Sequence, residues 1–377
     1  MSEAEEVYEK KILDRFSDAL IAFLVKIITA VRKDWYRKNK NRVEEWRLML
    51  YALNRSPIGI AGLILGLGFV VVGIIGPIIA PHSYDFSYIM ATGKYKEYYL
   101  APPGTGGAIL GTDDLGRDLF SELLYGARIS LMTVALVLPV GISVGIMLGL
   151  IAGYFGGAVD ELIMRVTDIF FSFPGLILAM AFSAAISTRI AYAIAKSPVL
   201  TALISFFFGV KPVDALNVAL TISIIIALWV VWWPGYARVT RGLTLQAKNN
   251  VYVEAARALS MSPTGIMLKH ILPNIISPLL VLMTMDIGNV ILTEAGLSFL
   301  MGAQLKIPDW GAIVQHGSQF LVNGAWWLLI FPGLAILLSV LGWNLFGDTL
   351  RDVLDPRTRR SIEFKIKKKK KKGGGEK

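Results

Sequence analysis

VYVEAARALSMSPTGIMLKHILPNIISP, residues 251–278, is the stretch on which the reading of this chain turns. Glu254, Ala255 and Ala256 open a good helix former, and Ser262-Pro263 interrupts it, because proline disfavours helical backbone at the residue before it. Residues 264–272 then suit a short second helix that stops at Pro273. On the first helix, Val253, Ala256, Leu259 and Ser260 share one side, with Glu254, Arg257 and Met261 on another. Apolar segments long enough to span a membrane flank the stretch on both sides. It therefore reads as a broken helix lying flat at a membrane face, offering a small, mixed surface to a partner.

Composition supports a membrane protein. Of 377 residues, 54% are hydrophobic, gathered in runs of the length that spanning helices need. No cysteine is present, which excludes a disulfide scaffold, a thiolate metal site and cysteine catalysis. The three histidines, His82, His270 and His316, have no metal-ligand spacing. The net charge of +10 lies largely in the two ends and in residues 236–274, which is how cytoplasmic segments of membrane proteins are charged, not a nucleic-acid footprint.

Six spans are expected, at 58–79, 130–155, 174–190, 216–233, 275–297 and 326–346. The basic patch of Arg37, Lys38, Lys40 and Arg42, with Trp46 and Arg47, holds the N-terminus inside, so residues 236–274 and the tail also fall on the cytoplasmic side. That loop carries Arg238, Arg241, Lys248, Arg257 and Lys269 against the single acid Glu254, while the external loop 298–323 carries only Lys306 and Asp309. Residues 81–128 form a long external loop, and 197–210 are apolar but too short to cross, so they read as an external or re-entrant helix. Glycines at three- and four-residue spacing in the first two spans, such as Gly141, Gly145 and Gly149, favour close helix packing.

Residues 1–55 form an N-terminal cytoplasmic region, 56–128 the first span with its external loop, 129–350 the core, and 351–377 a basic disordered tail ending in six lysines and a glycine run. Within the first region, residues 11–32 suit an amphipathic helix, with Ile12, Leu13, Phe16, Leu20, Phe23, Leu24, Ile27 and Ile28 on a broad face and Asp14, Arg15, Asp18 and Lys26 opposite. Such a helix fits the membrane interface, or a packed position on the chain's own cytoplasmic face or on a partner.

Several polar residues invite chemistry. Asp286 falls mid-span, where a carboxylate is expensive; lining a translocation path and hydrogen-bonded packing both remain open for it. Glu294, near the outer end of the same span, fits a support for the outer gate or a neighbouring loop. Asp113, Asp114, Arg117 and Asp118 lie together outside the membrane. Adjacent aspartates point in different directions and no histidine accompanies them, so a turn in which Asp113 or Asp114 caps the next helix and Arg117 pairs with an acid outranks a metal or catalytic site. No catalytic or metal residue is assigned. No Gly-x-x-x-x-Gly-Lys-Ser/Thr motif occurs, since Gly93-Lys94 is followed by Tyr95, so ATP hydrolysis by that route is excluded. An intramembrane enzyme would need a second acid or histidine at the depth of Asp286, and a secondary transporter would commonly show repeated halves; neither is evident.

The order YVEAARALS…KHILPN, together with LGTDDLGRDLFSELLYGARISL (110–131) and GNVILTEAGLSFLMGAQ (288–304), resembles the dipeptide and oligopeptide permease family of ABC importers, specifically its second permease subunit, over about residues 55–356. The resemblance implies an all-α bundle of six transmembrane helices in the cell membrane, with both termini cytoplasmic. It implies that Glu254, Ala255, Ala256, Arg257, Ser260, Leu272 and Pro273 couple the chain to an ATPase. In that role the alanines allow close approach, Ser260 marks the bend and Leu272-Pro273 seat the second helix. The Asp113–Asp118 motif becomes a subunit interface or a dock for a binding protein. Implied partners are a second permease, two ATP-binding subunits that carry ATP and Mg, and an extracellular solute-binding protein; this chain itself needs no cofactor. The implied substrate is a short peptide, with oligosaccharides or nickel as alternatives. The family usually has glycine where this chain has Ser260, and serine lacks glycine's access to positive φ.

Overall fold

Apolar runs punctuated by Gly, Pro and Ser give helices and little else. The computed structural model describes residues 12–31, 53–302 and 307–354, with positions 36, 39, 40, 43, 47, 50 and 51 between the first two. Arg37, Lys38, Arg42, Trp46, Lys306 and the lysine tail lie outside the described residues. Among the described residues there is no strand, only isolated bridges such as Ser87 to Arg117 and Thr112 to Asp118.

The helices are α1 (Ile12–Val31), α2 (Pro57–Ile79), α3 (Tyr88–Thr92), α4 (Tyr95–Tyr98), α5 (Leu119–Phe155), α6 (Gly157–Ser172), α7 (Gly175–Lys196) and α8 (Pro198–Phe208). They continue with α9 (Ala219–Ala247), α10 (Val251–Ala258), α11 (Pro263–Ile266), α12 (Leu272–Leu300), α13 (Trp310–Gln319) and α14 (Trp327–Leu354). Among the described residues, six helical stretches are long and apolar enough to cross a membrane: Pro57–Ile79, Leu119–Phe155, Gly175–Lys196, Pro212–Ala247, Pro263–Leu300 and Trp327–Leu354. The expected spans at 58–79, 130–155, 216–233 and 275–297 sit inside these stretches, and those at 174–190 and 326–346 each begin one residue ahead of theirs. At about 1.5 Å per residue, the 37 residues of α5 run about 55 Å, well beyond a hydrocarbon core of about 30 Å. The long spans therefore carry their ends clear of the lipid. Helix α8, with 11 residues, is only about 16 Å long and cannot cross.

The chain divides into two units, residues 1–64 with 344–377 and residues 65–343, the boundary falling inside α2 and α14. In the smaller unit the polar side of α1 splits. Asp14 and Asp18 turn inward: Asp14 accepts from Asn54 Nδ2 (3.2 Å) and faces Arg55 (3.7 Å), and Asp18 accepts from the Tyr51 hydroxyl (2.7 Å) and pairs with Arg47 (3.1 Å). Arg15 and Lys26 stay exposed.

In the larger unit α5 packs most extensively on α9. Lipid tails are as apolar as a leucine, so burial alone drives little association in a bilayer; close dispersion contact does. Gly145 and Gly149 supply it. A Cβ at Gly145 would stand 2.6 Å from the Trp233 carbonyl oxygen, and one at Gly149 2.5 Å from that of Ala237. Any larger residue would force the two backbones apart. Ile224, Ala227 and Leu228 of α9 are buried in the resulting core.

Candidate functional site

Helices α10 and α11 stand on an apolar foundation. Val253 and Ala256 of α10 are buried with Ile266, Met267 and Ile271, and with Leu150 and Ala247 at the ends of α5 and α9. The other side of α10 is open: Val251, Glu254, Ala255, Arg257, Leu259 and Ser260 are all exposed, Val251 and Leu259 at 79% and 78%. This departs from the expected faces. Leu259 and Ser260 do not share the side of Val253 and Ala256, and Met261 does not share that of Glu254. The helix stops at Ala258, so its periodicity no longer governs the residues beyond it. Ala256 supports the segment from beneath, so of the two alanines after Glu254 only Ala255 faces the open surface.

The stop is a Schellman motif. Met261 N donates to Ala256 O (3.2 Å) and Ser260 N to Arg257 O (2.9 Å), with Ser260 in the left-handed region at φ 56°. Met261 then packs back onto the apolar foundation. Serine occupies the conformation for which glycine is the unstrained choice, at a cost of about 1 kcal/mol. The bend expected at Ser260 is there, and the strain is its consequence.

Residues 262–300 correct a second expectation. The second helix does not end at Pro273. Ser262 caps it, its hydroxyl accepting from Gly265 N (3.2 Å), and helical structure continues to Leu300 through a π turn at Met267–Ile271, with Leu272 N bonded to Met267 O. A proline inside an α-helix would clash with the carbonyl four residues back and leave it unbonded. The wider i→i+5 turn immediately before Pro273 removes that conflict. Leu272 packs against the apolar foundation while Pro273 is exposed.

Basic residues expected in a loop also fall on helix. Arg238 and Arg241 lie on α9 and reach α6: Arg238 Nη2 donates to Asp168 (2.6 Å), and Arg241 holds Asp160 through two bonds of 2.5 and 2.6 Å. The Arg241 guanidinium keeps the Asp160 carboxyl below the usual carboxylate range. The Glu254 carboxylate, in contrast, makes no hydrogen bond or ion pair with any described residue. Arg257 lies over the Tyr154 ring at 5.3 Å.

Within the spanning region Asp286 is half-buried, and it accepts from Trp232 Nε1 (3.1 Å) and Asn289 Nδ2 (2.9 Å). It thus links α12 to α9 without being sealed off. Glu294 is fully buried and accepts from Ser130 at 3.5 Å. Asp309 caps α13, taking Gly311 N (2.8 Å) and Ala312 N (3.3 Å).

On the opposite side of the bundle the acidic motif is closed. The residue that caps α5 is Asp118, which accepts from Ser121 N (3.0 Å), not Asp113 or Asp114. Asp113 accepts from Leu115 N (2.9 Å), Arg117 N (2.8 Å) and Arg117 Nε (2.7 Å), and Arg117 also reaches Glu122 at 3.3 Å. A histidine does accompany the motif after all: His316 Nε2 lies 2.6 Å from Asp114 Oδ1. It stands 202 residues away in sequence, so no local spacing could reveal it. Asp113, Asp114 and His316 hold their ligand atoms within 4.8 Å of one another, but the Asp113 carboxylate already serves a guanidinium and two backbone N–H groups.

Comparisons with known proteins agree with this geometry. Residues 145–360 match the family described as the binding-protein-dependent transport system inner membrane component, and residues 45–103 match the N-terminal TM domain of oligopeptide transport permease C. The chain is 32% identical to the dipeptide transport system permease protein DppC of Alkalihalophilus pseudofirmus, over 84% of this chain and 91% of that one. It is 33% identical to the glutathione transport system permease protein GsiD of Pectobacterium atrosepticum, over 85% and 94%, and 40% identical to GsiD of Escherichia coli O157:H7, over 66% and 71%. A six-span bundle, an exposed helical elbow on an apolar foundation, and a match covering more than half of the sequence point one way: the chain belongs to the binding-protein-dependent inner-membrane-component family, as a multi-pass permease subunit of an ABC transport system.

Proposed function

We propose that this subunit forms part of the membrane pathway of an ATP-driven importer of short peptides, and that residues 251–260 are the surface through which ATP-hydrolysing partners move it. The observation that carries the reading is the contrast within α10: a face fixed on the subunit's own core, and an opposite face on which Glu254, Leu259 and Val251 are exposed, with Arg257 exposed beside the Tyr154 ring. A rigid elbow of this kind transmits a push into α9 and α12, to which its foundation belongs. The relatives named for dipeptide and glutathione transport support a peptide-sized substrate. ATP and Mg belong to two partner subunits, and a second permease and an extracellular solute-binding protein complete the assembly. The basic residues around α10 favour a cytoplasmic position for this elbow, with both termini on the same side.

Asp286 is the pathway residue in this account, half-exposed and held by Trp232 and Asn289. Asp286→Leu is expected to lower uptake while leaving assembly intact. Loss of assembly instead would make Asp286 a packing residue. The reading as a whole is tested by gentle detergent extraction of the tagged chain from its native cells. Recovery of two ATPases and a second permease supports it, and recovery of the chain alone contradicts it. A peptide-binding screen of the co-purified solute-binding protein then tests the substrate class.

A further inference from the structure

The exposed part of α1 has no role in the transport account. Its inner side is fixed, through Asp14, Ser17 and Asp18, to Arg47, Tyr51, Asn54 and Arg55. Those residues end just before Pro57, where α2 begins, so α1 is tethered at the point where the chain meets the membrane. One flank of the helix is exposed and apolar, with Phe23 at 61% and Ile27 at 48%. The neighbouring flank carries the exposed Arg15 and Lys26. An open groove of about 600 Å³ runs beside it, lined by Ile21, Val25, Tyr36 and Val43, with Lys26 and the Asp18-paired Arg47 at its polar margin.

We infer that α1 is a lipid anchor. It lies in the membrane interface on the side from which α2 starts, with the Phe23–Ile27 flank in the acyl chains and Arg15 and Lys26 at anionic headgroups. The physical case rests on three features together. Ion pairs on the inner side orient the helix, so its apolar flank cannot turn back onto the residues that hold it. The anchoring segment runs straight into a spanning helix, which sets α1 at interface depth. Cationic residues beside the apolar strip match the sign of an anionic lipid surface. A lipid surface satisfies all three features at once, whereas a protein partner would have to supply both an apolar trough and acidic residues at the same height.

The absence of cysteine makes the test direct. Single-cysteine variants Phe23→Cys, Ile27→Cys and Ala22→Cys in the full complex, each carrying a bimane label, are reconstituted into phosphatidylcholine vesicles with and without phosphatidylglycerol. Ile74→Cys on the lipid-exposed part of α2 reports that the complex is inserted. Doxyl-lipid quenching at positions 23 and 27 is expected to exceed that at 22 several-fold and to rise with phosphatidylglycerol; iodide quenching should show the reverse order. Strong iodide quenching at 23 and 27 overturns the proposal in favour of a solvated helix. Protection from both quenchers overturns it in favour of a protein cover. Quenching at 23 and 27 that ignores phosphatidylglycerol overturns the headgroup role of Arg15 and Lys26. Because Ile74 reports insertion separately, failure at α1 is distinguishable from failure of the permease reading.

Discussion

Two charged regions at opposite ends of the same unit use their polar atoms in opposite ways. Around residues 113–122, Asp113, Arg117, Asp118 and Glu122 are all buried, and their charges are directed at one another and at backbone N–H groups. Around residues 251–260 the polar side chains stand on the surface, and the Glu254 carboxylate has no hydrogen bond or ion pair with a described residue. Both contain acids beside an arginine, and both sit at helix ends. Burial separates them: a buried charge must find its partner within the fold, and a surface charge is free for a partner outside it. Residues 113–122 thus form a strut closed on itself, while residues 251–260 leave their polar groups open at the surface.

Substitutions test that division. The largest effect is expected for Arg117→Ala, which strands the buried Asp113 and Glu122 carboxyls; about 3–5 kcal/mol of stability should be lost, read as a fall in the unfolding temperature of the purified complex or as loss of the chain from the membrane. A loss of a few tenths would break the comparison from the side of residues 113–122. Next comes Glu254→Lys. Uptake should fall at least about tenfold, equivalent to about 1.4 kcal/mol, while the amount of chain in the membrane and its unfolding are unchanged. Normal ATP-driven uptake by this variant breaks the comparison from the side of residues 251–260. Ser260→Gly relieves the left-handed serine and should add about 1 kcal/mol of stability without lowering uptake. The smallest effect belongs to Arg165→Ala, which removes an exposed pair with Glu161 at 3.5 Å; thermal unfolding should move by less than about 0.5 kcal/mol.

The sequence carried the parts of this picture that depend on local periodicity. Span-length apolar runs, the break at Ser262-Pro263 and the close-packing glycines of α5 are all properties of neighbouring residues, and each is found in the fold. What escaped depends on long-range placement or on backbone that leaves a regular period. The pairing of His316 with Asp114 joins helices far apart in the chain. Trp232, which steadies Asp286, sits 54 residues before it in sequence and reads there as one more apolar residue of a span. The positions of Leu259 and Met261 were misplaced because helical spacing was carried past Ala258, where the Schellman turn resets it. Pro273 looked like a stop because a π turn cannot be seen in residue types alone. Asp14 and Asp18 share their side of α1 with Arg15 and Lys26, and only the fold separates the inward acids from the outward bases.

The claim at the centre of this account, that residues 251–260 meet an ATP-hydrolysing partner, is tested most directly by crosslinking. Leu259→Cys, fully reactive in a cysteine-free chain and exposed at the tip of α10, is labelled with a short photocrosslinker in the intact complex; Leu115→Cys, exposed beside the acidic motif, serves as the reference. The account predicts a crosslink from position 259 to an ATP-binding subunit and none to that subunit from position 115. A complex in which position 259 stays free while an ATP-binding subunit crosslinks at 115 would contradict it.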